Sequence, residues 1–232
     1  MAADIDASRR VFLLRMLATG LFALPPSAYA AQQEEVPGKL PAGKSIYRLK
    51  GRLRINGEAA TTESLIGSND TLTTGPDSQA IFVVGKDAFL LHQNSELQLS
   101  GDDNFLVSGL RLVTGSLLSV FGRSRHQIET PLAIIGIRGT GLFVRSLPTM
   151  TYVCTCYGTT TITAAADPDA TETIHTTHHD APRYVADDGK FYVAAVIDHT
   201  DEELTLIEAL VGRRPPFSDS GEPGGAKGYY GA

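Results

Sequence analysis

The chain has 232 residues, 42% of them hydrophobic, and a formal net charge of −6. That length bounds it to one or two domains, and the apolar content allows a sizeable core and excludes a disordered class. The acidic balance leaves no basic footprint for a polyphosphate backbone, so nucleic acid is excluded as an expected partner.

The N-terminus reads as a targeting segment and is set aside before fold reasoning. Arg9, Arg10 and Arg15 precede or interrupt an apolar stretch from Val11 to Leu24, Pro25-Pro26 breaks it, and Ala28-Tyr29-Ala30 gives the small-x-small pattern of a signal-peptidase site. A membrane span needs roughly 20 apolar residues, which this stretch does not supply, so no retained span is expected. The run Ser8-Arg9-Arg10-Val11-Phe12-Leu13-Leu14 resembles a twin-arginine export signal. On this reading residues 1–30 are a signal peptide, the protein crosses a membrane already folded, and the mature chain is periplasmic or secreted. A Sec-type leader containing two arginines is the plainer alternative.

Residues 31–44 carry Pro37 and Pro41 among polar residues and read as a flexible lead-in. A β domain is expected over 45–199, beginning with alternation from Ser45 to Ile55 and a hairpin signal at Asn56-Gly57. Gln79–Val84 and Ala88–His92 flank the turn Gly85-Lys86-Asp87. Further strands are predicted at Glu96–Ser100, Phe105–Val113, Ser116–Phe121, His126–Thr130, Ala133–Arg138, Leu142–Ser146, Thr151–Tyr157 and Thr160–Ala165. A last hairpin pairs Arg183–Ala186 with Phe191–Ile197. Turn signals every eight to twelve residues point to an all-β sandwich or β-roll of many short strands.

One helix is expected at the C-terminal side, over 200–212. Thr200-Asp201-Glu202-Glu203 is a capping box, Leu204, Ile207, Leu210 and Val211 form an apolar stripe, and Gly212 ends it. The stripe is read as packing on the sheet. Residues 213–232, rich in Gly and Pro, read as a disordered tail.

The segment Thr130-Pro131-Leu132-Ala133-Ile134-Ile135-Gly136-Ile137-Arg138-Gly139-Thr140 resembles the core signature of the FecR-domain family. Arg54–Ala59, Asp70–Gly75, Ser78–Val83 and Leu112–Leu117 match earlier family elements in the same order, so the resemblance covers about residues 50–165. It implies a periplasmic binding or sensing domain whose partner is an envelope protein. In well-known members this domain is half of a transmembrane regulator of a sigma factor. Here the helical cytoplasmic half and a retained span are missing from that plan, so only the domain and the compartment carry over. From the residues alone, Gly136, Gly139 and Gly141 point to bulges or close backbone approach. Arg138 reads either as a buried, paired arginine or as a ligand-facing charge.

The least generic feature is chemical. Cys154 and Cys156, the two cysteines of the chain, sit on one face of a predicted strand, with Cα atoms roughly 6.6 to 6.8 Å apart. About twenty residues on come His175, His178, His179 and Asp180. If that segment returns beside the Cys strand, two thiolates and one or two imidazoles make a soft site for a single copper, zinc or iron ion. A strained Cys-Cys bridge and plain buried thiols with solvated loop histidines are the other readings. His92, His126 and His199 show no spaced partners, and His199 reads as an ordinary residue before a helix cap. No nucleophile elbow, phosphate loop, dinucleotide fingerprint or HExxH motif is present, which argues against an enzyme. Three functions remain: a binding or sensing module for a protein or glycan, a metal storage, delivery or redox protein, and an envelope scaffold.

Overall fold

The computed structural model describes residues 36–101 and 107–219, and among these the chain is all-β with one α-helix. The expected signal peptide and the tail beyond 219 lie outside the described residues. The strands are β1 (Ile46–Lys50), β2 (Leu53–Ile55), β3 (Glu58–Ala59), β4 (Thr71–Thr74), β5 (Gln79–Val84), β6 (Asp87–Leu91), β7 (Glu96–Gly101), β8 (Val107–Val120), β9 (Arg125–Glu129), β10 (Ala133–Ser146), β11 (Met150–Ala164), β12 (Asp167–Thr176), β13 (Arg183–Ala186) and β14 (Phe191–Val193). Helix α1 (Asp201–Leu210) and a 3-10 turn at Pro216–Asp219 follow.

All these strands belong to one sheet with two lobes. The ends of the long strands differ in partners. Leu117–Val120 of β8 pair with β6, while Gly109–Arg111 run parallel to β9. Gly141–Ser146 of β10 pair with β8, and Ile134–Arg138 pair with β9. β11 pairs with β13 through Met150–Val153 and with β12 from Gly158 onward. Both lobes turn their inner faces into one apolar core, in which Phe82, Leu91, Leu117 and Val153 meet Leu72, Leu97, Leu112, Ile128 and Ile162.

Here the structure departs from the expectation of many short strands. Three pairs of predicted strands are fused into single strands of 14, 14 and 15 residues. Gly115 and Gly158, which fall between predicted strands, lie inside long strands instead, whereas the bulge expected around Gly139 and Gly141 is present. The register of β10 on β11 slips between Arg138 and Gly141, the point at which β10 changes partner from β9 to β8. Opposite it, Gly158 has φ +92, and a Cβ there would lie 2.7 Å from the Gly139 carbonyl oxygen. Only glycine meets both demands.

The residues of the segment singled out around Thr130–Thr140 serve this framework. The Thr130 hydroxyl accepts from the Ala133 amide at 2.9 Å and pairs with Thr151 Oγ1 at 2.8 Å. Thr140 is buried and its hydroxyl donates to the Thr159 carbonyl at 3.2 Å. Gly136 and Gly139 lie along the β10–β11 pairing, and Pro131 is exposed. Arg138 is neither buried nor aimed into a pocket: it is exposed just before the bulge, on the same outward face of β10 as Ile134, as two-residue alternation places it.

Helix α1 covers the face of β5, β6, β8 and β10 that points away from the main core. Ile81, Ala88, Leu90, Leu118, Val120 and Phe143 form a second cluster with Leu204, Ile207 and Leu210. The expected capping box is present: Glu203 N–H donates to Thr200 Oγ1 at 3.3 Å, and Thr200 N–H to Glu203 Oε2 at 3.0 Å. At the other end the Gly212 and Arg213 amides donate to the Ala209 and Glu208 carbonyls, both at 2.9 Å, a Schellman closure. The 36–44 stretch, expected as a loose lead-in, is tied down by Leu40, whose amide donates to the Leu210 carbonyl at 2.9 Å. No helix among the described residues is long and apolar enough to cross a membrane.

Gly158→Ala is expected to cost about 2–3 kcal/mol, since it adds a backbone clash to a left-handed φ. Gly57→Ala, at φ +86 with nothing within 4 Å of its Cβ, is expected to cost about 1 kcal/mol. Urea denaturation of both variants checks this, and equal losses would refute the bulge argument.

Candidate metal centre

From Thr151 to Tyr157 every residue of β11 is buried, so both faces of this stretch are dry. Val153 points into the main core, and Tyr152, Cys154 and Cys156 point under α1. Both cysteines are free thiols, fully buried. The Tyr152 hydroxyl donates to the Ala195 carbonyl at 2.9 Å, which ties the segment before α1 to the same strand.

Two further elements bring imidazoles onto the thiols. β12 returns antiparallel along β11, with Thr176 opposite Gly158, so the following turn reaches Cys156. There the Asp180 carboxylate accepts from the Thr177 amide at 3.1 Å, and the His179 amide donates to the Cys156 carbonyl at 2.9 Å. His179 has φ +52, an uncommon conformation for a residue with a side chain. It re-aims the ring, because neighbours on an extended strand would face opposite ways. The second imidazole, His199, stands one residue before the Thr200 cap and stacks on Phe143, with centroids 4.6 Å apart and planes at 12°.

The Sγ atoms of Cys154 and Cys156 and one nitrogen each of His179 and His199 all lie within 4.8 Å of one another. His179 Nδ1 is 3.4 Å from Cys154 Sγ and 3.1 Å from His199 Nε2. A tetrahedral zinc with ordinary bond lengths would separate its ligands by about 3.3 Å (N to N), about 3.5 Å (N to S) and about 3.8 Å (S to S). The two nitrogen contacts, at 3.4 and 3.1 Å, need to open by only tenths of an ångström, and every other pair of donors lies within 4.8 Å.

The outer nitrogens are held as well. His199 Nδ1 lies 2.6 Å from the Ile197 carbonyl, and His179 Nε2 lies 3.1 Å from Asp201 Oδ1. Neither oxygen can donate, so both outer nitrogens carry the proton and the inner ones present lone pairs to each other. Such a contact needs a positive charge between the rings, from a proton or a metal ion. The titration behaviour agrees. Cys154 is held well below the ordinary thiol range, first by the hydrogen bond from Cys156, against burial, and then by His179 and His199. Burial pushes Cys156 well above that range. Burial opposes charge on His179 too, but Cys154 on one side and Asp201 on the other raise its pKa above the usual value.

Of the residues singled out in the sequence, Cys154, Cys156 and His179 come together. His178 stands one step out, its Nε2 3.0 Å from both Asp201 oxygens. His175 is not part of the cluster: its ring is exposed on β12, with Nδ1 2.9 Å from Thr159 Oγ1. His199 and Asp201 complete the centre and were not foreseen. The signal available was slight, a histidine directly before a capping box that opens with an aspartate. His92 lies on the other flank of Phe143, where burial drives its pKa down to about 4.

No family model and no curated protein matches the chain. Among solved structures it is similar to two crystal structures of a proposed anti-sigma factor from Parabacteroides distasonis ATCC 8503. One, at 1.65 Å resolution, shows 9% identity and a TM-score of 0.45, covering 53% of this chain and 58% of that one. The other, at 2.50 Å, shows 10% identity with the same TM-score and coverage. The chain thus spans a little over half the length of either neighbour.

In the metal-free protein, thiolate absorbance followed against pH is expected to rise in two separate steps. One thiol ionises well below the ordinary value of 9.0 and the other well above it. The sign for stability follows from linkage. The lowered Cys154 pKa stabilises the fold above the unfolded thiol value, and that contribution is lost as pH falls through the folded value. His179→Phe removes one source of the lowering and should move the first step upward. A single step of two thiols near 9.0 would contradict the arrangement.

Proposed function

We propose that this chain is an exported binding or sensing module of FecR type whose β domain holds one soft metal ion, zinc or copper(I), between β11 and the N-terminal approach to α1. The observation that carries the metal assignment is the convergence of two thiols and two imidazole lone pairs, with each outer nitrogen anchored to an oxygen. Four protein donors make a closed shell, which suits a metal held for structure, sensing or storage rather than one that must bind substrate at an open position. That is also the reason to read the protein as something other than an enzyme.

Export is supported by the N-terminal pattern. In an oxidising compartment adjacent thiols do not persist as thiols unless something protects them, and a metal loaded before twin-arginine export would do so. The resemblance of residues 50–165 to the FecR domain supports a periplasmic role with an envelope protein as partner. Docking of that partner is favoured by one observation: β14 ends the sheet and exposes Tyr192 at 50% and Val193 at 80%, beside backbone groups free to pair with another strand.

The test is to express the chain with its own N-terminal segment and measure metal in the exported product by mass spectrometry. About one ion per chain is expected, since the donors fill a single tetrahedral shell, with none in a Cys154→Ser/Cys156→Ser variant. Adding the metal to stripped protein at a hundredfold excess over Kd should stabilise it by about 2.7 kcal/mol. Metal-free product with both cysteines oxidised to each other would overturn the assignment and leave a plain binding domain.

A further inference from the structure

We infer a second, partly exposed divalent-cation site formed by His178, His179 and Asp201, which shares the His179 ring with the buried centre. The inference rests on the reading of that centre as a metal site. One oxygen of Asp201 and the Nε2 atoms of His178 and His179 supply three donors within 4.8 Å of one another. His178 Nε2 is 3.0 Å from each Asp201 oxygen, and His179 Nε2 is 3.1 Å from Oδ1. A first-row ion bound at about 2.0–2.2 Å would set such donors about 3.3–3.5 Å apart, so the two imidazole–carboxylate contacts need to open by only tenths of an ångström.

Two features make this more than a carboxylate accepting hydrogen bonds. The left-handed backbone at His179 turns adjacent rings toward one carboxylate, with centroids 4.9 Å apart. Phe217 then packs on His178 at 4.5 Å and holds that ring in place. The carboxylate meanwhile sits symmetrically before His178 Nε2, whereas a single hydrogen bond needs only one oxygen. The site also differs from the buried centre in exposure. The side chains of His178, His179 and Asp201 are 21%, 11% and 13% exposed, so water can complete the coordination. The positive end of α1 nearby is offset by Asp201, Glu202 and Glu203 in its first turn.

Two imidazoles and a carboxylate suit zinc(II) or copper(II) rather than copper(I). Binding breaks the two hydrogen bonds to Asp201. His178 shifts its proton to Nδ1 and offers Nε2. His179 releases its Nε2 proton to solvent and bridges the two ions as an imidazolate. No oxidation or reduction is involved. The outer ion is the later to bind and the first to leave.

Protein loaded with one zinc per chain would be titrated with copper(II) and followed by calorimetry, metal analysis and electron paramagnetic resonance. A second ion with nitrogen hyperfine coupling is expected, bound at least tenfold more weakly in both His178→Ala and His178→Gln while the first zinc is retained. Saturation at one ion, or a second ion bound equally well by both variants, would overturn the inference and leave the buried centre standing. Failure to load the first zinc would overturn the centre and the outer site together.

Discussion

The stretch Thr151–Tyr157 of β11 has no side open to water, and the rest of the molecule is arranged to make that possible. One face is covered by the main core between the two lobes. The other must be covered by something that presents an apolar stripe, which is α1. Full burial of Leu204, Ile207 and Leu210 contributes roughly 1.5–3 kcal/mol for each side chain. That energy holds the helix to the sheet without choosing its position along it. Position comes from polar contacts. Glu208, buried among apolar neighbours, accepts from Tyr157 Oη on β11 and from Arg213 Nε at 2.6 Å, and Arg213 donates onward to the Lys86 carbonyl at 2.7 Å. Burial raises the Glu208 pKa while Tyr157 and Arg213 oppose the rise. With α1 pinned in this way at its C-terminal half, its N-terminal approach lies over Cys154 and Cys156.

The consequence is a cluster of polar atoms in a dry place. Leaving a buried donor or acceptor without a partner costs roughly 1–3 kcal/mol, and two imidazole lone pairs facing each other at 3.1 Å add repulsion to that loss. The hydrogen bonds among Cys156, Cys154 and His179 relieve it in part: that from Cys156 chiefly lowers the Cys154 thiol, and Cys154 and Asp201 raise His179 against its burial. A metal ion relieves it fully, satisfying both nitrogens and both sulfurs at once. The carboxylate contact of Asp201 on the far nitrogen of His179 adds to the basicity of that imidazole.

Much of the fold was legible because it rests on local rules. The all-β class, the Asn56-Gly57 hairpin and the capping box at Thr200 each follow from residues within a few positions of one another. Their φ values and hydrogen bonds match the expectation, with Asn56 at +52 and Gly57 at +86. The fused strands were not legible. Gly115 and Gly158 look the same in sequence whether the chain turns or runs on, and the difference is set by which strand lies opposite. β12 was not predicted as a strand, only as a segment that could return beside the Cys strand, and its order comes from pairing with β11. In the centre, the aim of His179 comes from its left-handed backbone beyond the end of β12, whereas the Cys-x-Cys spacing on one strand face was within reach of period-two reasoning. His199 was not, since its approach depends on where α1 docks, a tertiary fact with no local signature.

The charge balance of the buried centre also separates the candidate ions. Two thiolates and two neutral imidazoles bring a charge of −2, so zinc(II) leaves the inner shell neutral and copper(I) leaves it at −1. Asp201, in hydrogen-bond contact with His179, adds a further negative charge. An uncompensated charge in a low-dielectric site costs several kcal/mol even after relaxation. No lysine or arginine is bonded to Cys154, Cys156, His179, His199 or Asp201 among the described contacts to offset it. Iron(II) would match zinc in charge but binds more weakly in a set of this kind. Copper(I), for its part, draws most of its affinity from the two sulfurs and gains less from a full tetrahedron. The geometry supplies four donors within 4.8 Å of one another and a pocket that favours neutrality, and on both counts zinc(II) is the better fit.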